Sequence, residues 1–111
     1  MKSILLLEAQ PDLSRVLNEI LTHFGFHVTE ARSVEEGLNR LSSATYSAVI
    51  MDCDEYSARA ADFVARVDVP VVLLTDSPDP MQLAMTLVVE YFIMKPFTLD
   101  ELLTTIQSAA I

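Results

Sequence analysis

The feature that most constrains this chain is the alternation of short, continuous apolar runs with segments whose apolar residues recur at helical spacing. Uninterrupted apolar runs are typical of parallel strands that are buried on both faces, and parallel neighbours require crossover connections, usually helices. We therefore predict an α/β fold with three layers (αβα), in which about five helices cover a five-stranded parallel sheet. The predicted strands are Ile4–Leu7, His27–Ala31, Tyr46–Met51, Pro70–Leu74 and Tyr91–Met94.

The helices are predicted from apolar periodicity and from their end signals. A stripe from Leu13 to Phe24 precedes Gly25, which stands where a helix commonly ends. Capping-box patterns begin the second helix at Ser33 and the fifth at Thr98. The third helix, from about Ala60, is expected to be short, and the fourth is predicted over roughly residues 81–88.

Composition narrows the possible classes of protein. The chain has 111 residues, with sixteen acidic side chains against seven basic ones, a formal net charge of −9 and a single cysteine. This length predicts one domain over residues 1–111, and the excess of acid argues against direct binding of nucleic acid. Apolar runs are too short to cross a membrane, so we expect a cytoplasmic protein.

Polar residues follow four of the five predicted strands: Glu8, Asp52, Thr75 and Lys95. A polar residue after a strand is often only the first solvated position of a loop. In open parallel sheets, however, binding sites lie beyond the carboxyl ends of the strands. Carboxylates, a hydroxyl and an ammonium around one crevice suit phosphoryl chemistry, and oxygen ligands favour Mg²⁺ over zinc.

The chain resembles, over essentially its whole length, the receiver domains of bacterial two-component response regulators. The resemblance implies the flavodoxin-like sheet order 2-1-3-4-5, which places the first and third strands side by side. The stretches that carry it are Pro11-Asp12-Leu13, the apolar run before Asp52, Val71-Val72-Leu73-Leu74-Thr75 and Met94-Lys95-Pro96-Phe97.

The resemblance also implies roles for individual residues. Asp52 would be the phosphoacceptor, receiving its phosphoryl group from a histidine kinase or a phosphotransfer protein. Thr75 would hydrogen-bond that group and Lys95 would pair with it, next to a cis peptide bond at Pro96. Phe92 matches the aromatic switch residue that turns inward when the threonine moves.

The metal site departs from the family pattern. Receivers carry consecutive acids after the first strand, whereas this chain has Glu8-Ala9-Gln10, so Ala9 replaces a direct carboxylate ligand. We expect any Mg²⁺ to be held by Glu8, Asp52 and Asp54, with Glu55 as a further candidate, and to bind weakly or not at all. Asp76, which follows Thr75, adds repulsion toward an incoming phosphate.

The fourth predicted helix offers a candidate partner surface. Leu83 and Leu87 lie opposite the stripe that we expect to face the sheet, unless the helix is shorter or rotated. In receivers the face of the fourth helix, fifth strand and fifth helix commonly binds a downstream target or a second copy. The stripe expected to face the sheet is Met81, Ala84, Met85 and Val88.

Three functions compete. The first is a phosphorelay receiver, which is no enzyme beyond self-phosphorylation from a small phosphodonor and slow autodephosphorylation. The second is a pseudo-receiver that binds proteins without being phosphorylated, as Ala9 and Asp76 suggest. The third, more distant, is a haloacid-dehalogenase-like phosphatase, because Asp52 and Asp54 form an Asp-x-Asp motif. The chain is expected to be a stand-alone receiver or the N-terminal piece of a longer protein.

Overall fold

Five parallel strands and five helices make up the part of the chain that the computed structural model describes, residues 1–56 and 58–111. The strand order is β2-β1-β3-β4-β5, and every neighbouring pair is parallel, which confirms the predicted fold. The strands are β1 (Ser3–Leu7), β2 (His27–Ala31), β3 (Ala48–Asp52), β4 (Val71–Thr75) and β5 (Tyr91–Met94). The helices are α1 (Pro11–His23), α2 (Val34–Ser43), α3 (Ala60–Ala65), α4 (Pro80–Leu87) and α5 (Leu99–Ala109).

The core consists of two apolar clusters, one on each face of the sheet. Successive side chains of a strand point to opposite faces, so β1, β3 and β4 contribute to both clusters. One cluster is closed by α1 and α5, and the other by α2, α3 and α4. Because these three central strands are covered on both sides, the polar residues at their ends are held by a rigid, buried frame.

Both predicted N-caps form, but only the capping box at Thr98 is complete, because the Glu36 side chain accepts a hydrogen bond from Arg32 N instead of Ser33 N. The Ser33 side chain accepts a hydrogen bond from the Glu36 N–H, and Thr98 and Glu101 form a reciprocal capping box. Gly25 follows α1 with φ 95°, a left-handed conformation that glycine adopts without strain. In residues 1–56 and 58–111, none of the helices has the length and apolar character that crossing a bilayer would require.

Strands β3 and β4 end one residue later than predicted, on Asp52 and Thr75 themselves. Pro70 precedes β4 because it has no N–H to donate, although its carbonyl accepts a hydrogen bond from Val49 N at 2.9 Å. Because the strands end on them, Asp52 and Thr75 are part of the hydrogen-bonded sheet. Asp52 lies in register with Leu74 of β4.

The predicted orientation of α4 is wrong except at Ala84, which is buried as expected. Leu87 is buried and Leu83 packs against the core, whereas Met81 and Met85 are exposed. The sequence of this helix is apolar on nearly every side, so its periodicity could not determine which face is buried. Leu83 and Leu87 consequently belong to the core and do not form the exposed partner surface that we expected.

Candidate functional site

The structure brings the four predicted polar residues together at the carboxyl edge of the sheet. Glu8 follows β1, Asp52 and Thr75 end β3 and β4, and Lys95 follows β5. The sheet order makes β1, β3 and β4 direct neighbours, so these residues, distant in sequence, share one rim. Glu8, Asp52 and Thr75 are all buried, which is unusual for polar side chains and indicates a site rather than solvated loop ends.

Asp52 is held through both of its carboxylate oxygens. Its Oδ1 accepts hydrogen bonds from the backbone N–H groups of Asp54 (3.1 Å) and Glu55 (3.4 Å). Its Oδ2 accepts a hydrogen bond from Lys95 Nζ at 2.7 Å, and the two side chains are 1% and 24% exposed respectively. A buried carboxylate with a close ammonium is a nucleophile beside a cation that can neutralise a transferring group.

The Lys95 side chain is positioned by its backbone. Lys95 N donates a hydrogen bond to the Thr75 carbonyl at 2.8 Å, and the Lys95–Pro96 peptide bond is cis, as expected from the resemblance.

Partial burial by itself would lower the pKa of Lys95, but its hydrogen bonds to Asp52 and Asp54 raise that pKa above the ordinary value. Lys95 therefore stays charged.

Asp54 faces Thr75 and Lys95 and is not part of the acidic group that could hold a metal. Its Oδ1 accepts a hydrogen bond from Thr75 Oγ1 at 2.8 Å, and its Oδ2 accepts one from Asp76 N at 2.9 Å. Lys95 Nζ lies 3.2 Å from the same Oδ2. Partial burial acts to raise the pKa of Asp54, but these contacts lower it below its ordinary value.

Glu55 takes the place that we predicted for Asp54 among the candidate metal ligands. Glu8, Asp52 and Glu55 each offer a carboxylate oxygen, and these oxygens lie within 4.8 Å of one another. Gln10 holds two of these carboxylates by hydrogen bonds. Its backbone N–H donates to Glu8 Oε2 (3.1 Å), and its Nε2 donates to Glu55 Oε1 (2.9 Å).

The acidic group has the chemistry that a magnesium ion requires. Glu8 Oε1 is buried and lacks a hydrogen-bond partner among the described residues, so an oxygen acceptor is left unsatisfied there. Burial first, and then the neighbouring Asp52, raise the pKa of Glu8 to about 7, although the Gln10 N–H and Lys95 act to lower it. Three carboxylates with an unsatisfied oxygen fit a hard divalent cation.

Sequence reasoning missed a polar network beneath this rim. Arg32 Nη1 donates to Ser14 Oγ at 2.8 Å and Nη2 donates to Glu30 Oε1 at 2.8 Å, which ties α1 to β2. The Tyr56 hydroxyl donates to the Arg32 carbonyl, and burial, above other causes, raises the pKa of Tyr56 to about 12. The sequence signal for this network was Ser14, a polar residue buried within α1.

Phe92, predicted as the switch residue, lies on β5 beside Thr75's strand. Its side chain is half-buried and packs against the cluster that α2, α3 and α4 cover. Phe92 pairs with Leu73 of β4, two residues before Thr75. Phe92 thus contacts the core, and its role as a switch stays a prediction.

Known proteins match this chain over nearly its whole length. A family model described as the response regulator receiver domain matches residues 4–107. The uncharacterized transcriptional regulatory protein YkoG of Bacillus subtilis strain 168 is 29% identical over 113 residues, which cover 96% of this chain and 50% of YkoG. The response regulator ArlR of Staphylococcus aureus strain Mu50 is 27% identical over 116 residues, covering 97% of this chain and 52% of ArlR. The chain thus spans about half the length of these curated relatives.

Solved structures share the fold. A response regulator receiver protein from Burkholderia phymatum superposes with a TM-score of 0.87 at 19% identity, covering 99% of this chain and 95% of that one. The chemotaxis response regulator CheY4 of Vibrio cholerae gives a TM-score of 0.86 at 23% identity, with 98% of both chains covered. The comparisons favour neither the phosphorylation-independent module nor the phosphatase.

Proposed function

This chain belongs to the response regulator receiver domain family, and from that membership we propose that Asp52 accepts a phosphoryl group in a phosphorelay. The observation that carries the proposal is the surroundings of Asp52: it is buried at the carboxyl end of a central strand, with Lys95 Nζ 2.7 Å from its Oδ2. Residues 1–111 would act as one receiver unit, a signalling module rather than an enzyme with turnover.

The transfer step follows from the chemistry of the rim. A carboxylate oxygen of Asp52 forms a bond to phosphorus while the bond between phosphorus and the donor's histidine nitrogen breaks; that nitrogen keeps the electron pair and takes up a proton from solvent. Lys95 would neutralise a phosphoryl oxygen, and the Thr75 hydroxyl would donate a hydrogen bond to another. A magnesium ion held by Glu8, Asp52 and Glu55 would supply further neutralisation of the oxygens in transfer.

The donor would be a histidine kinase or a phosphotransfer protein, and the recipient of the signal a downstream protein or a second copy of the chain. We assign the output to the face of α4, β5 and α5, where Met81 and Met85 of α4 and Met94 of β5 are exposed. We expect a protein with this function to act in the cytoplasm and to bind neither nucleic acid nor a membrane directly. Self-phosphorylation from a small phosphodonor and slow autodephosphorylation would be its only reactions.

The test is phosphorylation of the purified protein by acetyl phosphate in the presence of Mg²⁺, followed by intact-mass measurement. We expect one phosphoryl adduct on the parent and none on Asp52→Asn. Asp76→Asn serves as the control: it removes the exposed carboxylate of Asp76, next to Thr75, and should still form the adduct. An unmodified parent, or an adduct on Asp52→Asn, would contradict the proposed role of Asp52.

A further inference from the structure

The carboxylate of Asp54 is bound by three donors, two at the end of β4 and one directly after β5. They are the Thr75 hydroxyl (2.8 Å), the Asp76 backbone N–H (2.9 Å) and the Lys95 ammonium (3.2 Å). The first two bind different oxygens of the carboxylate, so the group is held in one orientation. Hydrogen bonds to ionised groups are stronger than neutral ones, and this arrangement contains three with such character.

Two of these donors are the groups to which the proposed function assigns the phosphoryl oxygens. A threonine hydroxyl has a single proton to donate, and in this structure it is donated to Asp54 Oδ1. The oxygen of the same hydroxyl accepts a hydrogen bond from Ser77 N at 3.0 Å, which leaves the hydroxyl committed on both sides. A phosphoryl group on Asp52 cannot use the Thr75 proton while Asp54 holds it.

The position of Lys95 leads to the same conclusion. Its Nζ lies 2.7 Å from Asp52 Oδ2 and 3.2 Å from Asp54 Oδ2, so the ammonium bridges the two carboxylates. A phosphoryl group attached to Asp52 would bring further negative charge against Asp54. Because like charges repel, and because both groups would need the same ammonium, Asp54 and the phosphoryl group compete for Lys95.

We propose that the Asp54 side chain is an internal occupant of the phosphoryl-binding groups of this site, which a phosphoryl group must displace before it can bind Thr75 and Lys95. The inference rests on the proposed function of Asp52. Displacement is sterically simple, since Asp54 lies in the loop between β3 and α3 and its side chain is 27% exposed. Rotation of this one side chain into solvent releases all three donors from Asp54, while Lys95 remains paired with Asp52.

The first measurement is the apparent affinity for beryllofluoride at constant Mg²⁺, followed by fluorine NMR. The apparent affinity of a ligand falls in proportion to the fraction of molecules that are competent to bind it, so Asp54→Ala should tighten binding by about tenfold or more. Asp76→Asn is the matched control, because it removes a carboxylate from the same rim but keeps the contacts of Asp54. We expect its gain to be less than about threefold, and equal gains in the two variants would overturn the proposal.

The second measurement needs neither beryllofluoride nor Mg²⁺. In the parent the Asp76 amide donates to a carboxylate, so its proton resonance should move strongly upfield in Asp54→Ala and less in Asp54→Asn, which keeps one acceptor oxygen. An Asp76 amide that does not move overturns the occupant role, whatever the titration shows. If the amide moves but neither the parent nor Asp54→Ala binds beryllofluoride, the phosphoacceptor role of Asp52 fails while occupation by Asp54 stands.

Discussion

The Thr75 side chain makes two of the hydrogen bonds at the rim. It is completely buried, and its hydroxyl both donates to Asp54 Oδ1 and accepts from Ser77 N. Valine has nearly the same shape but no hydroxyl, so Thr75→Val leaves an acceptor and a donor without their partner. We expect a loss of about 1–2 kcal/mol in the free energy of unfolding, measured by urea denaturation. Thr75→Ser, which keeps the hydroxyl, should lose less, and a Thr75→Val protein as stable as the parent would contradict this account.

Glu30 makes stability depend on pH. Hydrogen bonds from Ser14, then Asn18 and then Arg32, lower the pKa of Glu30 from 4.5 to about 2. The unfolded chain therefore binds the proton more tightly, so this contribution to stability is complete above pH 4.5 and is lost as the pH falls toward 2. Glu30→Gln should be less stable than the parent near neutral pH, and the difference in free energy of unfolding should shrink on acidification. Parallel pH profiles of the two proteins would show that Glu30 makes no such contribution.

At the level of elements, α4 shows that a helix with apolar residues on both faces is decided by packing. Leu87 is buried against the core, whereas Met85 is 67% exposed. We expect Leu87→Ala to lower the free energy of unfolding by about 2–3 kcal/mol and Met85→Ala to change it by less than about 0.5 kcal/mol. Chemical denaturation of the two variants measures both values. A larger loss of stability for Met85→Ala than for Leu87→Ala would instead support the predicted orientation, in which Met85 faces the sheet.

The sheet and most helix ends could be predicted because their signals are local. Uninterrupted apolar runs require burial on both faces, and Gly25 and the Ser33 and Thr98 caps satisfy backbone groups within one turn. The choice between Asp54 and Glu55 as a metal ligand could not be predicted. It depends on how the loop after β3 turns, and that turn lacks the glycine and proline signals that would have determined it.

At the level of the whole molecule, the excess of negative charge should make the stability of the protein depend on the dissolved cation. The net charge is −9, and Glu8, Asp52 and Glu55 add local repulsion at the rim. MgCl₂ should therefore stabilise the protein more than NaCl of equal ionic strength, by about 1.4 kcal/mol at a concentration ten times the dissociation constant. Glu55→Gln should reduce this difference, and Asp76→Asn should leave it intact. Thermal denaturation curves that coincide in the two salts would contradict binding at this group.

The rim is assembled from strands that are synthesised at opposite ends of the chain. Glu8 comes after β1, whereas Lys95 arrives only after β5, and both reach Asp52 because the sheet places β3 at its centre. A nascent or nicked molecule that lacks β5 leaves Asp52 among other acids without its ammonium. If Asp52 is the acceptor as proposed, we expect such a fragment to accept a phosphoryl group poorly, so that Asp52 becomes competent only after the last strand has joined the sheet.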